Sequence, residues 1–116
     1  MKILVHSSIP VFQRVKKLLQ GDGKREVVFV DNIDELKRNH QSHLVFIEVK
    51  RHNTDTLCRC MTELKTAYSV LLTDQATDWN RLAGAGASGF VSVDSGDGVF
   101  AARMEAAVRR LGRETV

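Results

Sequence analysis

Apolar residues recur along this chain in two alternating rhythms. Short runs at positions 3–5, 27–30, 44–49, 69–72 and 89–93 have the length and composition of buried strands. Each precedes a stretch in which apolar residues fall three and four apart, the spacing of a helix with one buried face. Strands alternating with helices read as βαβ units, so the pattern predicts an α/β domain of five parallel strands joined by crossover helices. The run Leu44-Val45-Phe46-Ile47-Glu48-Val49 is apolar almost throughout, as expected of a central strand covered on both faces, and Glu48 is its exception.

The stretches between the strands place the helices. Ser8, a capping side chain, and Pro10, pre-set for a first turn, predict a helix running to about Gln20. Its apolar positions Val11, Phe12, Val15, Leu18 and Leu19 form one stripe, with Gln13, Arg14, Lys16 and Lys17 on the solvated side. Gly21 to Gly23 turn the chain into the second strand, and Asp31 or Asn32 caps a short helix through Asn39. Thr54 caps a third helix to about Lys65, and Thr77 caps a shorter fourth one carrying Trp79 and Leu82. The small-residue segment from Ala83 to Gly89 ends that helix and leads into the fifth strand. A fifth helix from about Gly98 to Leu111 carries Val99, Phe100, Met104, Ala107, Val108 and Leu111 on its apolar side.

Composition narrows the classes. The 116 residues fit one domain, and a chain of this size buries roughly 65% of its unfolded surface, enough for a core without staples. Seventeen Lys and Arg against fourteen Asp and Glu give a net charge of +3. That excess is small and scattered, so direct nucleic-acid binding is not expected. No run approaches a membrane span or a signal peptide, which predicts a cytoplasmic protein without membrane contact. Cys58 and Cys60 lie two apart on a helix, point to nearly opposite faces and cannot bridge each other. His40 and His43 precede the third strand while His52 follows it, and paired ligand spacings are absent, so no metal site is expected.

In a parallel α/β sheet, chemistry sits at the carboxyl ends of the strands. Those ends carry His6, Ser7, Ser8, Glu48, Thr73 and Val93. His6, a serine and Glu48 supply the types of a base, a nucleophile and an orienting acid. A hydrolase serine, however, sits in a strained elbow beside an oxyanion hole, and Ser8-Ile9-Pro10 reads as a helix cap. The start of the first helix, with two hydroxyls, also suits a small anion, which Glu48 opposes by charge.

Taken in order, Lys2-Ile3-Leu4-Val5 with Ser7-Ser8-Ile9-Pro10, then 44–49, then Val70-Leu71-Leu72-Thr73, then Ala85-Gly86-Ala87-Ser88-Gly89-Phe90-Val91 resemble the receiver domain of two-component response regulators over essentially the whole chain. The resemblance implies a doubly wound, flavodoxin-like five-stranded parallel sheet of strand order 2-1-3-4-5, with His6 to Ser8 facing Glu48. It also exposes departures. Receivers hold magnesium on an acidic pair after the first strand, accept phosphate on an aspartate ending the third, and pair it with a lysine ending the fifth. Those positions fall here on Ser7 and Ser8, on Glu48 and on Val93. Magnesium binds poorly without carboxylates, and valine cannot neutralise phosphoryl charge.

A phosphorylation-independent pseudo-receiver is therefore expected: a protein-contact module in signal transduction or transcription regulation, not an enzyme, with no cofactor and no metal. Thr73 and Phe90 stand at the receiver family's switch positions, and Glu48 has two readings: one methylene longer than Asp, it resembles a constitutive stand-in for phosphoaspartate, or it is a structural residue that pairs with Lys50 or is bonded by the serines. The resemblance implies contact with a protein partner (a kinase, an output domain or another regulator), or a homodimer, through the face of the fourth helix, fifth strand and fifth helix. Trp79, Arg81, Arg103, Arg109, Arg110 and Arg113 fall in those helices, and Trp and Arg are enriched at interface hot spots. The alternatives are a switchable receiver using Asp55 or Asp74 as acceptor, and an anion-binding sensor.

Overall fold

The computed structural model describes residues 2–19, 25–32, 34–36, 44–50, 54–63, 68–73 and 79–114, without the side chains at 54, 62, 63, 68, 79 and 111–114. Five strands, β1 (Lys2–His6), β2 (Glu26–Phe29), β3 (Leu44–Glu48), β4 (Tyr68–Thr73) and β5 (Gly89–Ser92), form one sheet of order β2-β1-β3-β4-β5. Every pairing is parallel, with Ile3 opposite Val27 and Leu44, Val45 opposite Ser69, and Val70 opposite Gly89. The strand order implied by the receiver resemblance is the order observed.

Strand ends differ from the sequence reading by a residue, because pairing outlasts the regular ladder. Val30, Val49 and Val93 lie just past β2, β3 and β5, and their N–H groups donate to the carbonyls of Val5, Leu72 and Thr73 at 2.9, 2.9 and 2.8 Å.

The helices are α1 (Ile9–Leu19), α2 (residues 34–36 of the described chain), α3 (Thr54–Glu63), α4 (Trp79–Gly84) and α5 (Asp97–Glu114). At α2, Asn32 rather than Asp31 is the cap: its Oδ1 accepts the Glu35 N–H at 2.8 Å and its carbonyl the Leu36 N–H at 3.2 Å. The predicted extension to Asn39, the helix end near Lys65 and the Thr77 cap lie outside the described residues. Ser8 starts α1 through its carbonyl, which accepts the Phe12 N–H at 3.0 Å, while its hydroxyl makes no capping bond among the described residues. Gly96 plays the same part for α5, accepting the Phe100 N–H at 2.9 Å.

Helix α4 ends in a Schellman turn. Ala87 N–H donates to Leu82 O at 3.3 Å and Gly86 N–H to Ala83 O at 3.1 Å, with Gly86 at φ +110°. Glycine suits this position because a Cβ there would strain the backbone.

Alternate strand residues feed two cores. Ile3, Val5, Phe46, Val70, Leu72 and Val91 pack under α1 and α5 against Val15, Leu19, Phe100, Met104 and Val108. Leu4, Val45, Ile47, Val49 and Leu71 pack on the opposite face against Leu36, Leu57, Cys60, Met61 and Leu82. Two polarity assignments change. Val99, expected on the buried side of α5, is 50% exposed, because the stripe runs Phe100, Met104, Val108 and Val99 is turned about 100° away from it. Arg14, expected on the solvated side of α1, is half-buried. No helix among the described residues is long and apolar enough to cross a membrane.

Candidate functional site

The carboxyl ends of β1, β3, β4 and β5 bring Ser7, Ser8, Glu48, Thr73 and Val93 to one side of the sheet. Glu48 Oε1 accepts the backbone N–H of Ser8 at 2.8 Å, joining the end of β3 to the start of α1. This contact follows from the adjacency of β1 and β3 in the sheet. Ser7 Oγ donates to the Ser8 carbonyl at 2.8 Å. Both serines and Glu48 are half-buried.

His6 is turned elsewhere, with Nδ1 2.9 Å from the carbonyl of Val30 beyond β2. The structure thus gives Glu48 the backbone of Ser8 and gives His6 a main-chain partner on the other side of β1, and the serine–histidine–acid arrangement does not assemble.

Thr73 is fully buried, and its hydroxyl has no hydrogen-bond partner among the described residues. Phe90, opposite Leu71, is half-buried and packs against the core beneath α3 and α4. The two switch-like residues therefore lie on adjacent strands, Thr73 in register with Ser92 two positions beyond Phe90.

Val93 packs its side chain against the core shared by α1 and α5. The cation at this end of β5 comes instead from α1, a residue missed as functional in the sequence. Arg14 donates from Nη1 to Val93 O at 2.8 Å, from Nη2 to Ser95 O at 2.5 Å and from Nε to Asp97 Oδ1 at 2.8 Å. Its guanidinium carbon stands 4.2 Å from the centroid of the Phe100 ring. A sequence signal existed: Arg14 is three residues after Val11 and four before Leu18, on the border of the apolar stripe.

The residues present do not fit the magnesium ion that receivers use. Among the described residues the site offers one carboxylate, one oxygen of which already accepts the Ser8 N–H, beside a Ser7 hydroxyl committed to a carbonyl. Divalent magnesium demands oxygen ligands in near-octahedral geometry, and among the described residues no group of three His, Cys, Asp or Glu is placed to hold a metal. His40, His43 and His52 lie outside the described residues. Cys58 is half-buried, Cys60 buried, and neither is in a disulfide.

The interface candidates separate. Arg81 of α4 pairs with Asp55 at the start of α3. Arg109 donates from Nε to the Glu105 carbonyl in its own helix at 3.4 Å. Arg103 and Arg110 instead line a groove of about 320 Å³ between α5 and β5, together with Ala106, Ala107 and the β5 segment from Ser88 to Val91. Arg110 Nη2 donates to Ser88 O at 3.0 Å. The side chains of Trp79 and Arg113, and all of Asp74, lie outside the described residues.

No protein-family model matches this sequence, and no curated protein matches it. Solved structures do match its shape. The chain superposes on a CheY-like protein (tadZ) from Pseudomonas aeruginosa PAO1 with a TM-score of 0.75 and 14% identity, covering 96% of this chain and 98% of the other. A response regulator from Thermotoga maritima gives 0.74 at 19% identity, covering 93% and 97%. A protein named for pilus assembly (cpaE) from Burkholderia thailandensis gives 0.70 at 13% identity, covering 94% and 98%. The fold is the CheY-like receiver fold. Identity at this level carries the architecture and not the chemistry.

Proposed function

We propose that this domain is a pseudo-receiver: a receiver-fold module that carries out no phosphoryl transfer, is not an enzyme, and acts by contact with a protein partner in a regulatory pathway. One observation carries the reading. At the strand ends where a receiver would gather carboxylates, acceptor and lysine, the chain has Ser7, Ser8, a Glu48 engaged by the Ser8 N–H, and a Val93 whose neighbouring cation bonds through all three nitrogens to a loop. Phosphoryl transfer depends on positioned cations that stabilise the charge moving onto equatorial oxygens, and Arg14 spends its donors on Val93, Ser95 and Asp97 instead.

The switchable alternative is less well supported. Asp55 is exposed and pairs with Arg81 on the α3–α4 side. Anion sensing at the start of α1 competes with a carboxylate already bonded to its first free N–H. The likeness to the cpaE structure favours, as the setting for partner contact, pilus assembly, for which that protein is named.

The test is a titration of the ¹⁵N-labelled chain with millimolar magnesium and beryllofluoride, and separately with acetyl phosphate. The amide spectrum is expected to stay unchanged. Saturable shifts at residues 6–8, 48 and 73 would show that the site retains its chemistry.

A further inference from the structure

The groove beside β5 combines a sheet edge with paired cations. β5 is the last strand in the sheet, and its outer side faces the groove rather than another strand among the described residues. An outer strand presents backbone donors and acceptors that a guest strand can pair with. The floor is low: Ala106 and Ala107 on α5 and Gly89 on β5 are small enough for a backbone to approach. At Gly89 the Arg110 side chain lies against the strand: an added Cβ would stand 3.2 Å from its Nη2.

Charge selects the guest. Arg103 and Arg110 line the groove and are exposed, and among the described residues no lining side chain is acidic. Glu105, the acid between them in sequence, forms a bidentate ion pair with Arg25 at the start of β2, away from β5. Arg110 gives one nitrogen to Ser88 O, and Arg103 has no partner among the described residues. Seven residues along a helix put the two arginines about 10 Å apart along the axis, between the roughly 7 Å and 13 Å that separate same-face residues two and four apart on an extended chain, a gap that long arginine side chains span.

We infer that the groove between β5 and α5 takes an extended acidic segment of a protein partner, laid along the edge of β5 with two carboxylates of one strand face, two or four residues apart, on Arg103 and Arg110. The inference rests on the reading of the domain as a contact module and names the chemistry of its partner. A polypeptide fits better than a nucleic acid, because the wall is a strand edge over alanines, with two cations rather than a row and only Phe90 as an aromatic among the described residues.

The experiment titrates the ¹⁵N-labelled full chain with three probes: a blocked peptide alternating Glu with Val, the same peptide with Lys for Glu, and a single-stranded oligonucleotide. The Glu peptide alone should shift amides of 88–91 and 103–110. Arg103→Glu, which breaks no contact in the fold, should weaken that peptide at least about tenfold. Ala106→Glu, which adds an acid to the groove without removing any bond, should do the same, with thermal melts confirming that both variants are folded. The proposal is overturned by no shift, by shifts confined to other segments, by an oligonucleotide that binds as tightly, or by folded variants that bind like the parent. Magnesium and beryllofluoride added to the same sample separate two kinds of failure. If the spectrum stays silent to them, only the groove's occupant is wrong; if residues 7, 8, 48 and 73 shift, the contact-module reading itself has failed.

Discussion

Arg14, in the second turn of α1, holds the backbone carbonyl of Val93 at 2.8 Å. At the end of β5, where receivers keep a lysine for phosphate, the valine presents only its main chain, and that main chain is held by a cation from another element. With bonds to Ser95 O and Asp97 Oδ1 and a face on Phe100, the guanidinium joins α1 to the β5–α5 loop. The cation that ends up here fixes a loop rather than waiting for a ligand.

Arg14→Ala should cost about 1–2 kcal/mol in urea denaturation, the range for hydrogen bonds to a charged group that is partly exposed. Arg14→Lys should recover less than half of this, because an ammonium cannot reproduce the planar fork that reaches two carbonyls and a carboxylate. If Lys restores the parent stability, charge alone accounts for the role and the forked geometry is incidental.

Glu48→Gln should leave stability within about 0.5 kcal/mol, because the amide oxygen still accepts the Ser8 N–H. Glu48→Ala removes the acceptor from a half-buried donor and should cost about 1 kcal/mol, with the Ser8 amide resonance moving most. Equal losses in the two variants would mean that the negative charge, rather than the hydrogen bond, is what matters at the end of β3.

Thr73 carries a buried hydroxyl with no partner among the described residues, and an unpaired polar group of this kind is costly. Thr73→Val, which exchanges the hydroxyl for a methyl of similar size, should be neutral or stabilise the fold by up to about 1 kcal/mol. A loss above about 1 kcal/mol in the same denaturation assay would show that the hydroxyl is satisfied by an ordered water and contributes to the native state.

Much of the architecture was legible along the chain. Five apolar runs separated by helical spacing gave the number and direction of the strands, since a strand buried on both faces leaves little room for polar residues, and β3 is buried at every position but Glu48. The stripe of α1 and most of that of α5 were read correctly for the same reason, periodicity being a local property. Val99 failed because an apolar residue one position off a stripe looks like part of it until the packing partner fixes the helix's rotation.

The sequence by itself determined which chemical groups stand at the strand ends, two serines, a glutamate and a valine among them, because residue type at a strand tip needs no packing to be known. It left open what those groups do. That Glu48 meets a backbone N–H rather than His6, that Asn32 caps where Asp31 was equally suited, that Arg14 turns inward to hold the end of β5, and that Arg103 and Arg110 share a groove from which Glu105 is drawn by Arg25 were decided only by tertiary structure. Each is a pairing between side chains and backbone whose distance depends on strand order, register and helix rotation, and those are set by the whole sheet closing over both cores at once.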